Sequence, residues 1–190
     1  MMANGSGDTS SSATNVSANI SVPLPPIVVM GVSGCGKSRV GRDLAARLGV
    51  TFLEGDVLHP PENVARMAAG IPLTDADRQG WLEAIAGALA QAAGCGEGIV
   101  VSCSALRRPY RDLLRAAAPA TRFVHLTGSR ALLIDRMAAR EGHFMPISLL
   151  DSQLATLEPP GADEQPIVQN IEQSPAAILD ATVEALGIIK

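Results

Sequence analysis

Residues Gly31 to Ser38 read Gly-Val-Ser-Gly-Cys-Gly-Lys-Ser and fit the pattern G-x-x-x-x-G-K-[ST] at every fixed position. That spacing builds a phosphate cradle. The glycines let successive backbone N–H groups turn toward one anion, Lys37 reaches the β- and γ-phosphates of a nucleotide, and Ser38 offers its hydroxyl to Mg²⁺. Gly31, Val32, Ser33, Gly34, Cys35, Gly36, Lys37 and Ser38 are therefore the candidate nucleotide-binding residues, with Lys37 also catalytic. Lysine usage supports this separately. Of fifteen Lys and Arg residues only Lys37 and Lys190 are lysine, and a compact ammonium suits the space beside a phosphate chain better than a planar guanidinium.

A cradle alone does not distinguish a kinase from a switch or a motor. Glu54 and Asp56 are two residues apart at the end of a short apolar run. Asp56 can accept the proton of an acceptor alcohol, while Glu54 can hold waters around Mg²⁺. His59, where the chain turns toward a helix, either hydrogen-bonds substrate or serves structure. Two arginine clusters follow. Arg107, Arg108 and Arg111 suit a substrate carboxylate, with Arg107 and Arg111 four residues apart. Arg136 and Arg140 suit closure over ATP and stabilisation of the transferring phosphoryl group. Phosphoryl transfer requires alignment and exclusion of water, so residues from Arg136 to about Glu158 are read as a mobile lid.

Other phosphate-loop classes fit less well. Neither lysine follows an Asn, as a guanine-reading Asn-Lys-x-Asp motif requires. Asp77-Arg78-Gln79-Gly80 matches D-x-x-G but sits in a helical pattern, where Thr74 and Asp77 make a capping box. Ile99-Val100-Val101 is followed by Ser-Cys-Ser, not by the acidic pair of a motor ATPase.

These residues need a scaffold that brings strand ends together. Short apolar runs at Ile27–Met30, Thr51–Leu53, Ile99–Val101, Phe123–Leu126 and Ile167–Ile171 read as strands. Helical patterns run from Arg39 to Leu48, from Pro60 to Gly70, from Leu73 to Gly94, from Pro109 to Ala117, from Ala131 to Arg140, within Glu141–Glu158, and from Ala176 to Leu186. The alternation predicts an α/β fold: a three-layer α/β/α sandwich around a central parallel sheet, with the three motifs at the carboxyl ends of strands.

With 47% apolar residues, 190 residues can bury one core. Residues 23–190 are expected to form one kinase domain, and the Ser-, Asn- and Gly-rich residues 1–22 a disordered tail. A net charge of −4 argues against a nucleic-acid surface. Three cysteines without C-x-x-C spacing suggest a reducing, cytoplasmic setting. No membrane span or secretory signal is expected. Trp81 is read as a core residue beside the acceptor helix.

Taken together, the signatures at residues 30–38, 55–63 (Gly-Asp-x-Leu-His-Pro-x-Glu-Asn), 70–82, 103–112, 140–145 and 153–160 resemble those of the small P-loop gluconokinases. That family is related to shikimate and nucleoside-monophosphate kinases. The resemblance spans about residues 27–187. It implies a P-loop NTPase fold and transfer of the ATP γ-phosphate to the 6-hydroxyl of D-gluconate, with Mg²⁺, in gluconate catabolism and commonly in a homodimer. Asp56 matches the family's substrate-side carboxylate, and Arg107 and Arg111 sit where basic residues serve the substrate. Glu54 stands where relatives often carry Asp, and Arg107-Arg108 where they often carry Lys-Lys. The rival function is a nucleotide-binding regulator without turnover.

Overall fold

The computed structural model describes residues 24–139 and 147–187. Strand β1 (Ile27–Met30) is buried on both faces, and its side chains alternate between two cores. Ile27 and Val29 enter one core, Val28 and Met30 the other, as the two-residue period of a strand requires. A central parallel strand must therefore be apolar throughout, which is why Ile-Val-Val-Met carries no polar position.

The chain continues through α1 (Lys37–Leu48), β2 (Thr51–Glu54), α2 (Pro61–Ala68), α3 (Asp75–Cys95), β3 (Ile99–Ser102), α4 (Arg108–Ala117) and β4 (Arg122–Thr127). It ends with α5 (Arg130–Ala138), α6 (Ile147–Thr156), β5 (Ile167–Asn170) and α7 (Pro175–Leu186). The five strands form one parallel sheet in the order β2-β3-β1-β4-β5. Leu44 and Leu48 of α1 and Ile178, Val183 and Leu186 of α7 pack on one face. Trp81, Leu82, Ile85 and Leu89 of α3 and Tyr110 and Leu114 of α4 cover the other. This is the expected three-layer sandwich.

Local chemistry sets the element ends. Helix α1 stops at Gly49, whose φ of 68° closes it in the left-handed conformation. Helix α3 starts with the expected capping box: Thr74 Oγ1 accepts from Asp77 N–H at 3.2 Å, and Asp77 Oδ2 accepts from Thr74 N–H at 2.8 Å. Asp77 is thus a helix cap and not part of a nucleotide switch. Helix α1 begins at Lys37, two residues before the expected start at Arg39, because the end of the phosphate loop is already its first turn. The readings of a tail over residues 1–22 and of Arg140 lie outside the described residues, as does part of the lid reading.

Candidate active site

At its carboxyl end β1 passes into a loop whose glycines adopt conformations closed to other residues. Gly34 and Gly36 have φ of 82° and 91°. Gly31 has φ of 138°, and a Cβ there would stand 2.7 Å from the Leu126 carbonyl oxygen. Lys37 folds back over this loop, its Nζ donating to the Val32 carbonyl at 3.1 Å.

Across the crevice, Gly55 positions the acidic residues. A Cβ at Gly55 would meet the Ser102 carbonyl oxygen at 2.1 Å, so β3 and the turn after β2 can touch only through glycine. Gly55 N–H donates to Ser102 Oγ at 3.2 Å, and Trp81 Nε1 donates to the Gly55 carbonyl at 2.7 Å. The peptide is clamped from both sides. Asp56 follows in a 3-10 turn over Gly55–Leu58 and is exposed. Trp81 is 1% exposed, the core residue its sequence context suggested.

Glu54 accepts from Ser102 Oγ and from Arg42 Nη2, the latter at 3.3 Å. Arg42 lies one turn after Ser38 on α1, so these two residues share a helix face. The buried Cys103 thiol is pushed up to about 12, chiefly by burial, and it feels the charges of Asp56, Lys37 and Arg78.

His59 stacks on Trp81 with ring centroids 4.2 Å apart and planes inclined by 14°. Burial holds its pKa below the ordinary imidazole value, against an opposing pull from Asp56 and with help from Arg78. Burial thus favours its neutral form. Its Nδ1 is buried without a partner among the described residues.

The first arginine cluster divides. Arg111 does not enter the crevice. Its side chain is 1% exposed, Nε and Nη2 donate to both oxygens of Glu164 at 2.7 and 2.8 Å, and Nη1 donates to the Ala105 carbonyl at 3.1 Å. The expected carboxylate-binding role of Arg111 is thus overturned, because its donors are consumed by a buried carboxylate and a loop carbonyl. Arg107 is the N-cap of α4 and lies outside the helix, so it shares no helical face with Arg111. It pairs with Asp75, and with Glu158 at 3.3 Å. Arg108 pairs with Asp163 at 2.6 Å.

Arg136 does reach the phosphate loop. Its Nη1 lies 3.9 Å from where a Cβ on Gly36 would stand, and Nη2 donates to the Ile171 carbonyl at 2.7 Å. Two residues missed in the sequence complete the site. Arg78 donates to Tyr110 Oη at 3.2 Å, lies over the Tyr110 ring at 5.8 Å from its centroid, and forms no ion pair among the described residues. The D-x-x-G pattern hid it behind a cap, although helical spacing places it one turn before Trp81. Gln153 of α6 accepts the Ser33 N–H at 2.7 Å, reaching the loop from 120 residues away. Gln153 opens the signature at 153–160, but nothing in that stretch points to the phosphate loop as its partner.

Similarity to known proteins identifies the family. A family model described as an AAA domain matches residues 27–160. The gluconokinase of Gluconobacter oxydans is 52% identical over 157 residues, which cover 83% of this chain and 88% of the relative. The chain belongs to the gluconokinase family. The thermosensitive gluconokinase of Escherichia coli is 45% identical over 75% of this chain and 76% of its own length. A crystal structure of a gluconokinase from Sinorhizobium meliloti superposes with a TM-score of 0.80 at 50% identity, covering 87% of this chain and 93% of that one. Gluconokinases of this kind are ATP-dependent kinases on the phosphate-loop fold, and the sheet order and loop described above are those of such a kinase. No helix among the described residues is long and apolar enough to cross a membrane.

Proposed function

We propose that this chain transfers the γ-phosphate of ATP to the 6-hydroxyl of D-gluconate, with Asp56 as the base and Arg78, His59 and Arg107 on the acceptor side. The observation that supports the reading is the Gly55 clamp, which fixes the backbone immediately before Asp56 against Ser102 and Trp81. Asp56 accepts the hydroxyl proton as the oxygen attacks phosphorus. Lys37 and Arg136 offset charge on the phosphates. Arg78, with no carboxylate of its own among the described residues, is the cation best suited to the acceptor's carboxylate.

The oxygens of Ser38 and Glu54 fit a small hard cation, and among the described residues no cluster of three His, Cys, Asp or Glu side chains could hold a metal alone. A Mg²⁺ at that place would draw its other ligands from phosphate and water. When bound, it would supply positive charge that offsets the charge of the phosphates. A cytoplasmic homodimer completes the reading, supported by the family resemblance alone; sedimentation analysis tests it.

The deciding experiment measures ADP release with gluconate, shikimate, glycerate and nucleoside monophosphates as acceptors. Gluconate should give the highest kcat/KM. Equal, negligible turnover with every acceptor, alongside intact ATP binding, would favour a regulator.

A further inference from the structure

Asp75 and Arg78 stand three residues apart at the start of α3, a spacing at which opposite charges on a helix ordinarily pair. Here they do not. Among the described residues Arg78 forms no ion pair, and the Tyr110 hydroxyl bridges the two side chains instead. Tyr110 Oη donates to Asp75 Oδ1 and accepts from Arg78 Nη1 at 3.2 Å. The second Asp75 oxygen is taken by Arg107, whose guanidinium also meets Glu158 at 3.3 Å. One tyrosine thus touches both arginines, its ring centroid lying 5.8 Å from Arg78 Cζ and 5.9 Å from Arg107 Cζ.

Packing explains the ring but not the hydroxyl. Tyr110 lies with Arg111 and Leu114 on the buried stripe of α4 and joins Trp81 and Leu82 of α3 in one core. A phenylalanine would fill the same space, and the hydroxyl adds nothing to apolar contact. What it adds is a link between groups of opposite sign. The Tyr110 hydroxyl first, and Arg107 next, hold the Asp75 carboxyl below its ordinary value. An ionised carboxylate only accepts and a guanidinium only donates, so a hydroxyl can join them while keeping them apart.

We propose that Tyr110 is a positioning residue of the acceptor site, whose hydroxyl holds Asp75 and Arg78 apart so that Arg78 stays available to an anionic acceptor while Asp75 serves Arg107. The inference rests on the assignment of Arg78 to the acceptor's carboxylate and adds the device that keeps this cation unpaired. Without the hydroxyl, Arg78 and Asp75 are left at pairing distance along the helix. An incoming carboxylate then competes with an internal one for the same guanidinium.

Tyr110→Phe keeps the ring and removes the bridge. Gluconate kcat and KM are measured in the parent, Tyr110→Phe, Arg78→Ala and their double variant, with calorimetric titration of a non-hydrolysable ATP analogue and thermal melting beside them. Tyr110→Phe should raise the gluconate KM about three- to tenfold, the scale of one net hydrogen bond, with kcat and ATP-analogue affinity close to the parent's. In Arg78→Ala the same substitution should raise KM no further, because its effect passes through Arg78. Asp75→Asn removes the competing charge, so it should lower the gluconate KM more in Tyr110→Phe than in the parent, a rescue that a purely structural tyrosine would not show. A gluconate KM unmoved by Tyr110→Phe, a loss that recurs at full size in Arg78→Ala, no rescue by Asp75→Asn, or a parallel fall in ATP-analogue affinity overturns the proposal. A parent that does not turn over gluconate, or an Arg78→Ala variant with the parent's gluconate KM, overturns the acceptor reading itself and this inference with it. Where Arg78→Ala loses gluconate and Tyr110→Phe does not, only the role of Tyr110 falls.

Discussion

The Arg111 guanidinium and the Glu164 carboxylate meet through two parallel hydrogen bonds of 2.7 and 2.8 Å, with both side chains sealed from water. Arg115 adds a third bond to Glu164 at 3.0 Å from a partly exposed position. The pair locks the loop before β5 to α4, behind the crevice and not in it.

Removing one partner strands the other, so Glu164→Gln should lower unfolding free energy by about 3–5 kcal/mol, the usual cost of breaking a buried pair. The pH dependence has a definite sign. The bond from Arg111, above all, holds Glu164 down to about 2 from an unfolded value near 4.5. Its stabilisation is complete above the unfolded value and is lost as pH falls toward 2. Urea unfolding at pH 7 and pH 3 should show this loss in the parent, and a smaller one in Glu164→Gln.

Asp56→Asn keeps shape and removes the base. Turnover of gluconate should fall by about a hundredfold or more, with ATP-analogue affinity unchanged in calorimetry.

Arg78→Ala should narrow the preference for gluconate over glucose, which lacks the carboxylate, by about tenfold or more in kcat/KM. Arg107→Ala should narrow it less, because Asp75 and Glu158 already occupy that guanidinium. Comparing both sugars in both variants measures the division.

Trp81→Phe leaves the Gly55 carbonyl without its donor while preserving an aromatic ring against His59. The buried acceptor should cost about 1–3 kcal/mol of stability. The informative readout is a lower kcat at unchanged nucleotide affinity, since the clamp positions Asp56 and does not touch the loop.

What could be read from the chain divides by range of interaction. The phosphate loop, the strand runs and the Thr74 cap depend on neighbours within a few residues, and each appears in the structure within a residue or two of its expected place. Arg111 shows the limit. Its partner Glu164 lies 53 residues on, in a 3-10 turn without a pattern of its own. One local hint existed: Arg111 sits between Tyr110 and Leu114 on the buried stripe of α4, where a charge requires a partner. Arg78 and Gln153 act across tertiary contacts that no spacing rule encodes.

The distribution of sulfur has a practical consequence. Cys35, inside the phosphate loop, is buried and its thiol is held protonated by that burial; Cys103 beneath the crevice is protonated for the same reason. Reagents that require a thiolate meet neither at neutral pH. Cys95 is exposed at the far end of α3, where the helix turns back to enter β3. A maleimide dye should therefore attach at a single, catalytically silent position, giving an optical reporter of the intact enzyme without any engineered cysteine.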